Sequence, residues 1–528
     1  MNRVPAKTAP WQRGCTFISH GFLLALGIVL AQPAAGASVR EYHRILLSDP
    51  IDLDPARIED VNALQIMLQA AEGLVELEHN NISPAIAERW EISTDLREYQ
   101  FHLNPKALFS NGVRITADDV VHSFHYLLGD SSLVWRELSV ISGATEYHEG
   151  KNDTVTGIEK IGPQLVKFTL ERPFSPFLEI IATPPFVVLP QQSFKILHEK
   201  KVAPFVSSGP YQLVHYEKTQ SVQLERNPYH RAADRVYFDR IVYNIVRNPL
   251  LAKAGFFGGL YADIWPIFIR DVPLQSHGHF ERIPAYSAGT WYLEFNLNNP
   301  SVANLALRRF IASNLDRRAF LLELQLPTHF AATRFIPRGL VGYREAAASA
   351  EVVDWQHELA QAGCLPEKPC VVELIYEKDV SAALEKLFRP IREQHADRVH
   401  IILQKLERHA WYQRFITGAY AMLYIGNNAR YSDAYSMLNY LMMDQYHPGL
   451  QREEIGRQLE LAFETSDRVV RGNHYARVDD LLLQQYAVVP IYHGVVPYLF
   501  VRKGYVGHKV PILGPHHIVM SNIRQSSQ

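Results

Sequence analysis

The sequence predicts a mixed α/β protein large enough for more than one lobe. At 528 residues the chain exceeds the size at which a single hydrophobic core stops growing, so two or more packed lobes are expected. Residues 165–170 and 240–246 alternate apolar and polar side chains with a period of two, as half-buried strands do. Segments with helical periodicity lie between such strands, and turn signals separate the two kinds of segment.

Two helices stand out in the pattern. Thr116 and Asp119 form a capping box ahead of an apolar stripe, which predicts a helix over Thr116–Leu128. A second helix is predicted near Asn304–Phe320, where apolar residues again repeat at helical spacing. We interpret the arginines outside its stripe as a solvated helix face and not as a nucleic-acid surface. These arginines are Arg308, Arg309, Arg317 and Arg318.

The composition is that of an ordinary folded protein. Hydrophobic residues make up 47% of the chain and charged residues 20%, so the low hydrophobicity typical of disorder is absent. Lys and Arg number 53 against 55 Asp and Glu, and the formal net charge of −2 provides no field for gathering nucleic acid. We therefore expect no nucleic-acid partner.

The amino terminus has the pattern of a secretory signal peptide. Basic residues within 3–13 precede the apolar run 21–31, and cleavage is expected after Ala37, which gives a signal peptide over 1–37. The apolar run is much shorter than the ~20 residues that span a bilayer, so an uncleaved anchor is the less favoured alternative. Cys15 precedes the run and cannot become the first residue of a mature lipoprotein. The mature chain is expected to be free in the periplasm.

The mature chain is expected to hold no transmembrane segment, because its apolar runs are broken by charges or prolines. Two cysteines remain after cleavage, Cys364 and Cys370. An oxidising compartment favours a local disulfide between them, while the sequence leaves open whether they are bonded. A lone cysteine pair is weak evidence for zinc.

Motifs typical of catalysis are missing from the sequence. It contains no nucleophile elbow, no Walker loop and no zinc-protease motif, and the glycine-rich segment 255–259 lacks the spacing of a dinucleotide site. We therefore predict that the chain is not an enzyme and that it holds no metal and no cofactor. A periplasmic hydrolase of peptides or glycans stays as an alternative, which would need a nucleophile or paired carboxylates converging in a cleft.

Several short motifs, in the same order along nearly the whole mature chain, resemble a known family. Together they resemble the family 5 extracellular solute-binding proteins, the group that contains the oligopeptide-, dipeptide- and nickel-binding receptors of ABC importers. The segments that carry the resemblance are Asp52–Pro55, Glu72–Val75, Pro84–Trp90, Tyr99–Leu103, Phe109–Gly112, Ile115–Val120, Gly209–Tyr211, Leu224–Tyr229, Phe295–Asn296, Leu307–Arg317 and Val489–Tyr492.

The resemblance implies a periplasmic-binding-protein fold of type II, similar to the large cluster C proteins, with two α/β lobes and a hinge between them. We place lobe I at 38–258, with an inserted subdomain at about 80–200, lobe II at 259–487, and a return to lobe I at 488–528. The implied function is capture of a peptide or peptide-like solute between the lobes and delivery to an inner-membrane permease whose ATPase subunits are separate chains. The receptor is expected to be a monomer.

The stretch 423–438 departs from the family pattern. In peptide receptors the similar stretch carries an Asp that pairs with the α-amine of the ligand, and the resemblance places Asn427 there. Losing a charge-assisted contact costs about 1.5–3 kcal/mol, so a metal chelate of the nickel or siderophore type, or another non-peptide solute, stays an alternative ligand. We expect Arg430 to meet a ligand carboxylate. The aromatic residues expected to wall the cleft are Tyr424, Trp291, Trp411 and Trp265.

Overall fold

The computed structural model describes residues 39–78, 80–265, 279–345, 354–442, 449–494 and 498–526. The chain separates into two units, Met1–Val39 and Arg40–Gln528. The predicted signal peptide over 1–37 lies outside the described residues. Within the described ranges, no helix has the length and apolar character needed to cross a membrane.

Strands and helices alternate through the second unit. The described strands are β1 (Glu41–Leu46), β2 (Val75–Glu78), β3 (Asn81–Pro84), β4 (Ala87–Ile92), β5 (Glu98–Leu103), β6 (Ile158–Gly162), β7 (Leu165–Thr169), β8 (Tyr211–Glu217), β9 (Ser221–Arg226), β10 (Arg240–Ile245), β11 (Asp263–Ile264), β12 (Phe280–Pro284), β13 (Gly289–Phe295), β14 (Cys370–Tyr376), β15 (Val399–Lys405), β16 (Met422–Asn428), β17 (Val488–His493), β18 (Tyr498–Arg502), β19 (Tyr505–Val506) and β20 (Arg524–Gln525). The described α-helices are α1 (Val61–Ala70), α2 (Ala117–Leu128), α3 (Ala144–His148), α4 (Phe177–Ile181), α5 (Gln191–Lys200), α6 (Pro249–Phe257), α7 (Leu305–Ser313), α8 (Arg317–Glu323), α9 (Trp355–Ala362), α10 (Ser381–Leu387), α11 (Arg389–Gln394), α12 (Arg408–Ile416), α13 (Tyr435–Leu441), α14 (Glu453–Phe463) and α15 (Arg468–Gln484).

Lobe I is built around two small sheets. One has the strand order β1-β10-β9-β8 and the other β11-β18-β12. Side chains from both sheets share one apolar core, which Tyr42, Ile241 and Val501 exemplify. A buried ion pair also joins them, because the Arg44 Nε lies 3.3 Å from a carboxylate oxygen of Asp263.

An inserted subdomain adds a third sheet with the order β4-β5-β7-β6. The helix α2 packs on it and begins as the capping box predicts, since the Asp119 carboxylate accepts a hydrogen bond from the backbone N–H of Thr116 at 2.9 Å. The alternating pattern of β7 places Val166 and Phe168 in the core. The predicted helix over Thr116–Leu128 and the strand at 165–170 are confirmed.

Lobe II contains a five-stranded mixed sheet with the order β15-β14-β16-β13-β17. One face is covered by α7, α8 and α10, whose apolar side chains pack on strand residues such as Leu374 and Met422. The other face carries α12, where Phe415 packs on Leu423. The sheet with helices on both faces confirms the predicted two-lobed α/β fold class.

Strand pairing shows where the chain passes between the lobes. The strands β11 and β12 pair with β18 in lobe I, whereas β17 pairs with β13 in lobe II. One crossing therefore occupies 285–288, and the other begins at Gly494. These segments connect strands of the two lobes, and the lobe bounds predicted from the sequence, at residues 259 and 488, stay a prediction.

The predicted helix at Asn304–Phe320 is in fact two helices. The chain leaves α7 at Asn314, whose side-chain amide donates to the Phe310 carbonyl at 2.8 Å. It enters α8 at Asp316, whose carboxylate accepts from the Ala319 N–H at 2.8 Å. The apolar repeat thus continues through a break, in which Asn314 caps the end of α7 and Asp316 caps the start of α8.

Two arginines of this region are not on a solvated face, so that interpretation was wrong for them. Arg308 is 6% exposed and donates to the Gln485 carbonyl at 3.0 Å. Arg317 donates to the Pro490 carbonyl at 2.8 Å, and burial lowers its pKa to about 10. Arg308 thus satisfies a backbone carbonyl at the end of α15, and Arg317 satisfies one in β17. A helical pattern does not reveal such partners.

A disulfide bond joins Cys364, just after α9, to Cys370 at the start of β14, with Cα atoms 5.0 Å apart. It therefore closes the turn between a helix and a strand of lobe II.

Candidate ligand cleft

The lobe II sheet presents the carboxyl ends of four parallel strands, β14 to β17, at one edge. The strands β14, β16 and β17 run in the same direction, because β14 is parallel to β16 and both β16 and β17 are antiparallel to β13. Their carboxyl ends bring Tyr376, Asn428 and His493 to this edge. In open α/β sheets, ligands bind in the crevice outside the carboxyl ends of the strands. This edge is therefore the candidate ligand-binding edge.

An aromatic stack lies just inside the edge. The ring of Trp291 stacks on Tyr424, with centroids 5.4 Å apart, and on Tyr492 at 6.0 Å. The ammonium of Lys378 lies 4.3 Å from the centroid of the Trp291 ring, and burial lowers the pKa of Lys378. Gly426 leaves room for the indole, since a Cβ there would lie 2.5 Å from it.

Asn427 and Arg430 lie at the end of β16 and in the loop that follows it. The Asn427 amide donates a long hydrogen bond to the Met437 carbonyl at 3.4 Å. The side chain of Arg430 is 77% exposed and lies 3.2 Å from the carboxylate of Glu137 in the inserted subdomain. Burial raises the pKa of Glu137, and the charge of Arg430 opposes that rise. This ion pair spans the two lobes.

A buried network also joins the lobes. Arg471 of α15 lies 2.9 Å from Glu179 of α4 and 3.2 Å from Asp433, which precedes α13. The side chains of Arg471 and Glu179 are 3% and 9% exposed. Burial raises the pKa of Glu179, and Arg471 opposes that rise. The pair between Glu179 and Arg471 forms only when α4 and α15 are together, whereas Arg471 also pairs with Asp433 within lobe II.

Apolar contact accompanies this network. The ring of Phe174 packs edge-on against Tyr435 at 5.5 Å and Phe463 at 5.0 Å, and Arg172 lies over Phe463 at 4.8 Å. Between these surfaces remains a cavity of about 110 Å³. Its lining combines residues of the inserted subdomain with Tyr435 and Asn439 of lobe II. The lobes thus meet around a small polar space.

The six residues predicted for the site fall into three places. Trp291, Tyr424, Asn427 and Arg430 lie along β13, β16 and the following loop. Trp411 lies on α12, on the opposite face of the sheet, stacked on Phe415 at 5.4 Å. Trp265 follows β11 in lobe I and packs partly buried against that lobe's core. Trp291 and Tyr424 are therefore in contact on one face of the sheet, whereas Asn427 lies three residues after Tyr424 on the opposite face and Arg430 follows in the loop.

No sequence pattern pointed to Glu137, Glu179, Arg471 or Lys378 as part of this region. Each depends on a partner that is distant in the chain: Glu137 and Arg430, for example, are 293 residues apart. An acidic residue followed by an arginine hundreds of residues later carries no local signal. Only folding of the two lobes brings these charges together.

Two lobes, two crossing segments and a polar space between them define a hinged binding protein. The model of the bacterial extracellular solute-binding proteins, family 5, matches residues 81–446, and the chain belongs to that family. Within the described residues no group of three or more His, Cys, Asp or Glu side chains is arranged to hold a metal ion.

Individual relatives are similar over almost the whole chain. The probable deoxycholate-binding periplasmic protein YgiS of Escherichia coli is 25% identical, with 96% of this chain and 97% of that protein covered. The periplasmic oligopeptide-binding protein OppA of Haemophilus influenzae is 23% identical, covering 92% and 94%. Among solved structures, the murein tripeptide binding protein MppA of E. coli superposes with a TM-score of 0.72 at 20% identity, covering 93% and 99%. The structural likeness extends over both lobes.

Proposed function

We propose that the chain is the substrate-binding component of an ABC importer, and that it captures a peptide or peptide-like solute between its lobes. The observation that carries the proposal is the interlobe surface itself. The ion pair between Arg430 and Glu137 and the network around Arg471 supply groups from both lobes to one closed interface. Family membership and relatives named for peptide binding support the same function.

The mechanism is a hinge motion without covalent chemistry. An open form exposes the edge of the lobe II sheet, and a ligand that contacts both lobes selects the closed form, because only that form makes both sets of contacts. The closed receptor then docks on an inner-membrane permease whose ATPase subunits are separate chains. The protein acts as a monomer in the periplasm after removal of residues 1–37.

Within the cleft we assign roles to the predicted residues. Arg430 meets an anionic group of the ligand, Asn427 offers an amide where peptide receptors of the family carry an Asp, and Trp291 with Tyr424 forms an aromatic floor. A role in the walls of the cleft stays a prediction for Trp265 and Trp411, which lie apart from these residues, on the core of lobe I and on α12. The side-chain exposure of Arg430, 77%, supports its availability to a ligand.

A non-peptide solute is the second candidate ligand. Asn427 removes the negative charge that would pair with an α-amine, and the relative YgiS is named for deoxycholate, which is a bile-acid carboxylate and has no amine. Metal chelates of the nickel or siderophore type belong to the same alternative. This candidate changes the cargo and leaves the hinge mechanism as it is.

The test is native mass spectrometry of mature protein purified from its own periplasm, followed by denaturation and identification of the released solute. We expect a bound small molecule, and adding it back should raise the melting temperature of the stripped protein. Turnover of peptides or glycans by the purified protein would instead support the hydrolase alternative. An empty protein that no solute in a broad panel stabilises would overturn the receptor proposal.

A further inference from the structure

A second cavity lies beside the hinge, within lobe II and the first crossing segment. It has a volume of about 240 Å³ and is lined by residues 329–334 with Tyr286, Arg338, Tyr343, Arg344 and His493. Tyr286 belongs to the crossing at 285–288, and His493 ends β17 just before the other crossing. The volume is below the roughly 300–1,000 Å³ of pockets for drug-sized ligands, so the cavity suits one residue-sized group.

The charge of the lining has one sign. Arg334, Arg338 and Arg344 contribute guanidinium groups, and no described residue of the lining carries a carboxylate. Three carboxylates face these arginines from outside the lining, and one of them, Asp479, has its pKa raised by burial to about 7 while Arg334 opposes that rise. Asp480 of α15 pairs with Arg334 and lies 3.8 Å from Arg344, and Glu345 lies 3.2 Å from Arg338. Burial disfavours the charge of Asp479, so the three guanidinium groups face two ordinary carboxylates, and Arg338 and Arg344 carry the exposed positive charge of the lining.

Of the three arginines, Arg338 and Arg344 are the most available to a ligand. Their side chains are 69% and 46% exposed, whereas that of Arg334 is 22% exposed. His493 adds no charge at neutral pH, because burial lowers its pKa to about 4. Its Nε2 lies 2.8 Å from the carbonyl oxygen of Arg334, so that nitrogen donates a hydrogen bond inside the protein.

Aromatic rings form the remaining walls. The ring centroid of Tyr286 lies 6.1 Å from that of Phe330, and Tyr343 lies 6.3 Å from His493. An apolar group packed against these rings is favoured by burial of its surface and by aromatic contact. Tyr286 also contacts Gly494 of the second crossing, where a Cβ would lie 3.2 Å from its ring. A group bound here therefore touches Tyr286 of the first crossing and His493, which directly precedes the second.

We propose that this cavity is the anion-binding subsite of the cleft, and that the transported solute places in it an aromatic group bearing a carboxylate. The carboxylate lies between Arg338 and Arg344, where the planar guanidinium groups can bind it with paired hydrogen bonds. The proposal rests on the proposed receptor function and specifies the class of its substrate. The same chemistry is offered by a peptide with a carboxyl-terminal aromatic residue and by a free aromatic acid.

The experiment compares acids with their neutral amides by isothermal titration calorimetry. The probes are the peptide Ala-Ala-Phe and 3-phenylpropionate, each against its carboxyl amide. We expect at least one acid to bind the wild-type protein tenfold or more tightly than its amide. Binding of Ala-Ala-Phe would identify a peptide as the class of solute, and binding of 3-phenylpropionate alone would identify a free aromatic acid.

The variants Arg338→Gln and Arg344→Gln should each reduce the preference for the acid by about three- to tenfold and leave the melting temperature within one or two degrees. Arg457→Gln serves as the matched control, because Arg457 is an exposed arginine of α14 paired with Glu454 within the same helix. It should keep the full preference.

Three results would overturn the proposed subsite. They are equal binding of acid and amide, failure of every acid to bind at millimolar concentration, and an undiminished preference for the acid when Arg338→Gln and Arg344→Gln are combined. A neutral solute that co-purifies and binds wild-type and variant proteins alike would also overturn it while leaving the receptor function standing. Failure of the receptor function looks different, because then no co-purified solute and no member of a broad panel binds at all.

Discussion

Replacing Glu179 by Gln should favour the open form of the protein. The Glu179 carboxylate lies 2.9 Å from the Arg471 guanidinium, across the interface between the inserted subdomain and lobe II, with both side chains buried. Glutamine keeps the shape and one hydrogen-bond acceptor but removes the charge. Arg471 retains its second carboxylate, Asp433, at 3.2 Å.

The size of the effect follows from the type of hydrogen bond. A bond to a charged group contributes about 1.5–3 kcal/mol and a neutral one about 0.5–1.5 kcal/mol, so the variant loses about 1–2 kcal/mol of closed-state stability. Because every 1.4 kcal/mol is a factor of ten, the closed-to-open ratio should fall by about 5- to 30-fold. The apparent Kd of any ligand that needs the closed form rises by up to the same factor.

Two measurements check this expectation. Titration calorimetry with the co-purified solute gives the Kd, and small-angle scattering of the ligand-free protein gives the radius of gyration, which should increase in the variant. The control is Asp263→Asn, which disrupts the buried pair with Arg44 inside lobe I. It should lower the melting temperature without changing the scattering. If Glu179→Gln left both the Kd and the radius of gyration unchanged, the interlobe role of this network would be refuted.

Three further predictions concern stability. Burial raises the pKa of Asp479 to about 7, so the native state holds a proton that the unfolded chain releases above about pH 4. The stability that this group contributes therefore falls as the pH rises from about 4 to 7. Asp479→Asn should flatten the dependence of the melting temperature on pH across that window. Replacing Cys364 and Cys370 together by Ser should lower the free energy of unfolding by about 2 kcal/mol in urea titrations, and a reductant should then have no further effect on the variant. Gly426→Ala should cost about 1–3 kcal/mol and change the tryptophan fluorescence, because the new Cβ would displace the ring of Trp291; unchanged fluorescence would contradict the close packing.

Local signals predicted the parts of the fold that depend on neighbours in the chain. The capping box at Thr116 and the alternation at 165–170 and 240–246 were confirmed, because a cap and a strand face are decided within a few residues. The break at Asn314 was missed although Asp316 is an N-cap residue, since the apolar repeat continues through it and dominates the pattern.

The roles of charged residues were harder to predict from the sequence. Arg308 looks solvated in a helical projection, yet its donors reach the carbonyl of Gln485, 177 residues further along the chain. Arg430 was predicted as a site residue, but its partner Glu137 could not be, because their proximity depends on how two lobes meet. A single sequence carries no record of such pairings.

The candidate residues for closure and for ligand choice are separate side chains, and this separation can be tested. Glu179 and Arg471 contribute to the closed interface without lining the cavity beside the hinge, whereas Arg338 lines that cavity. Glu179→Gln should therefore lower the affinity for every solute by a similar factor, because it acts on the common closing step. Arg338→Gln should weaken the binding only of solutes that carry an anionic group. If both variants instead changed the affinities of acids and amides in the same proportion, closure and recognition would share one set of contacts, and the cavity beside the hinge would have no selective role.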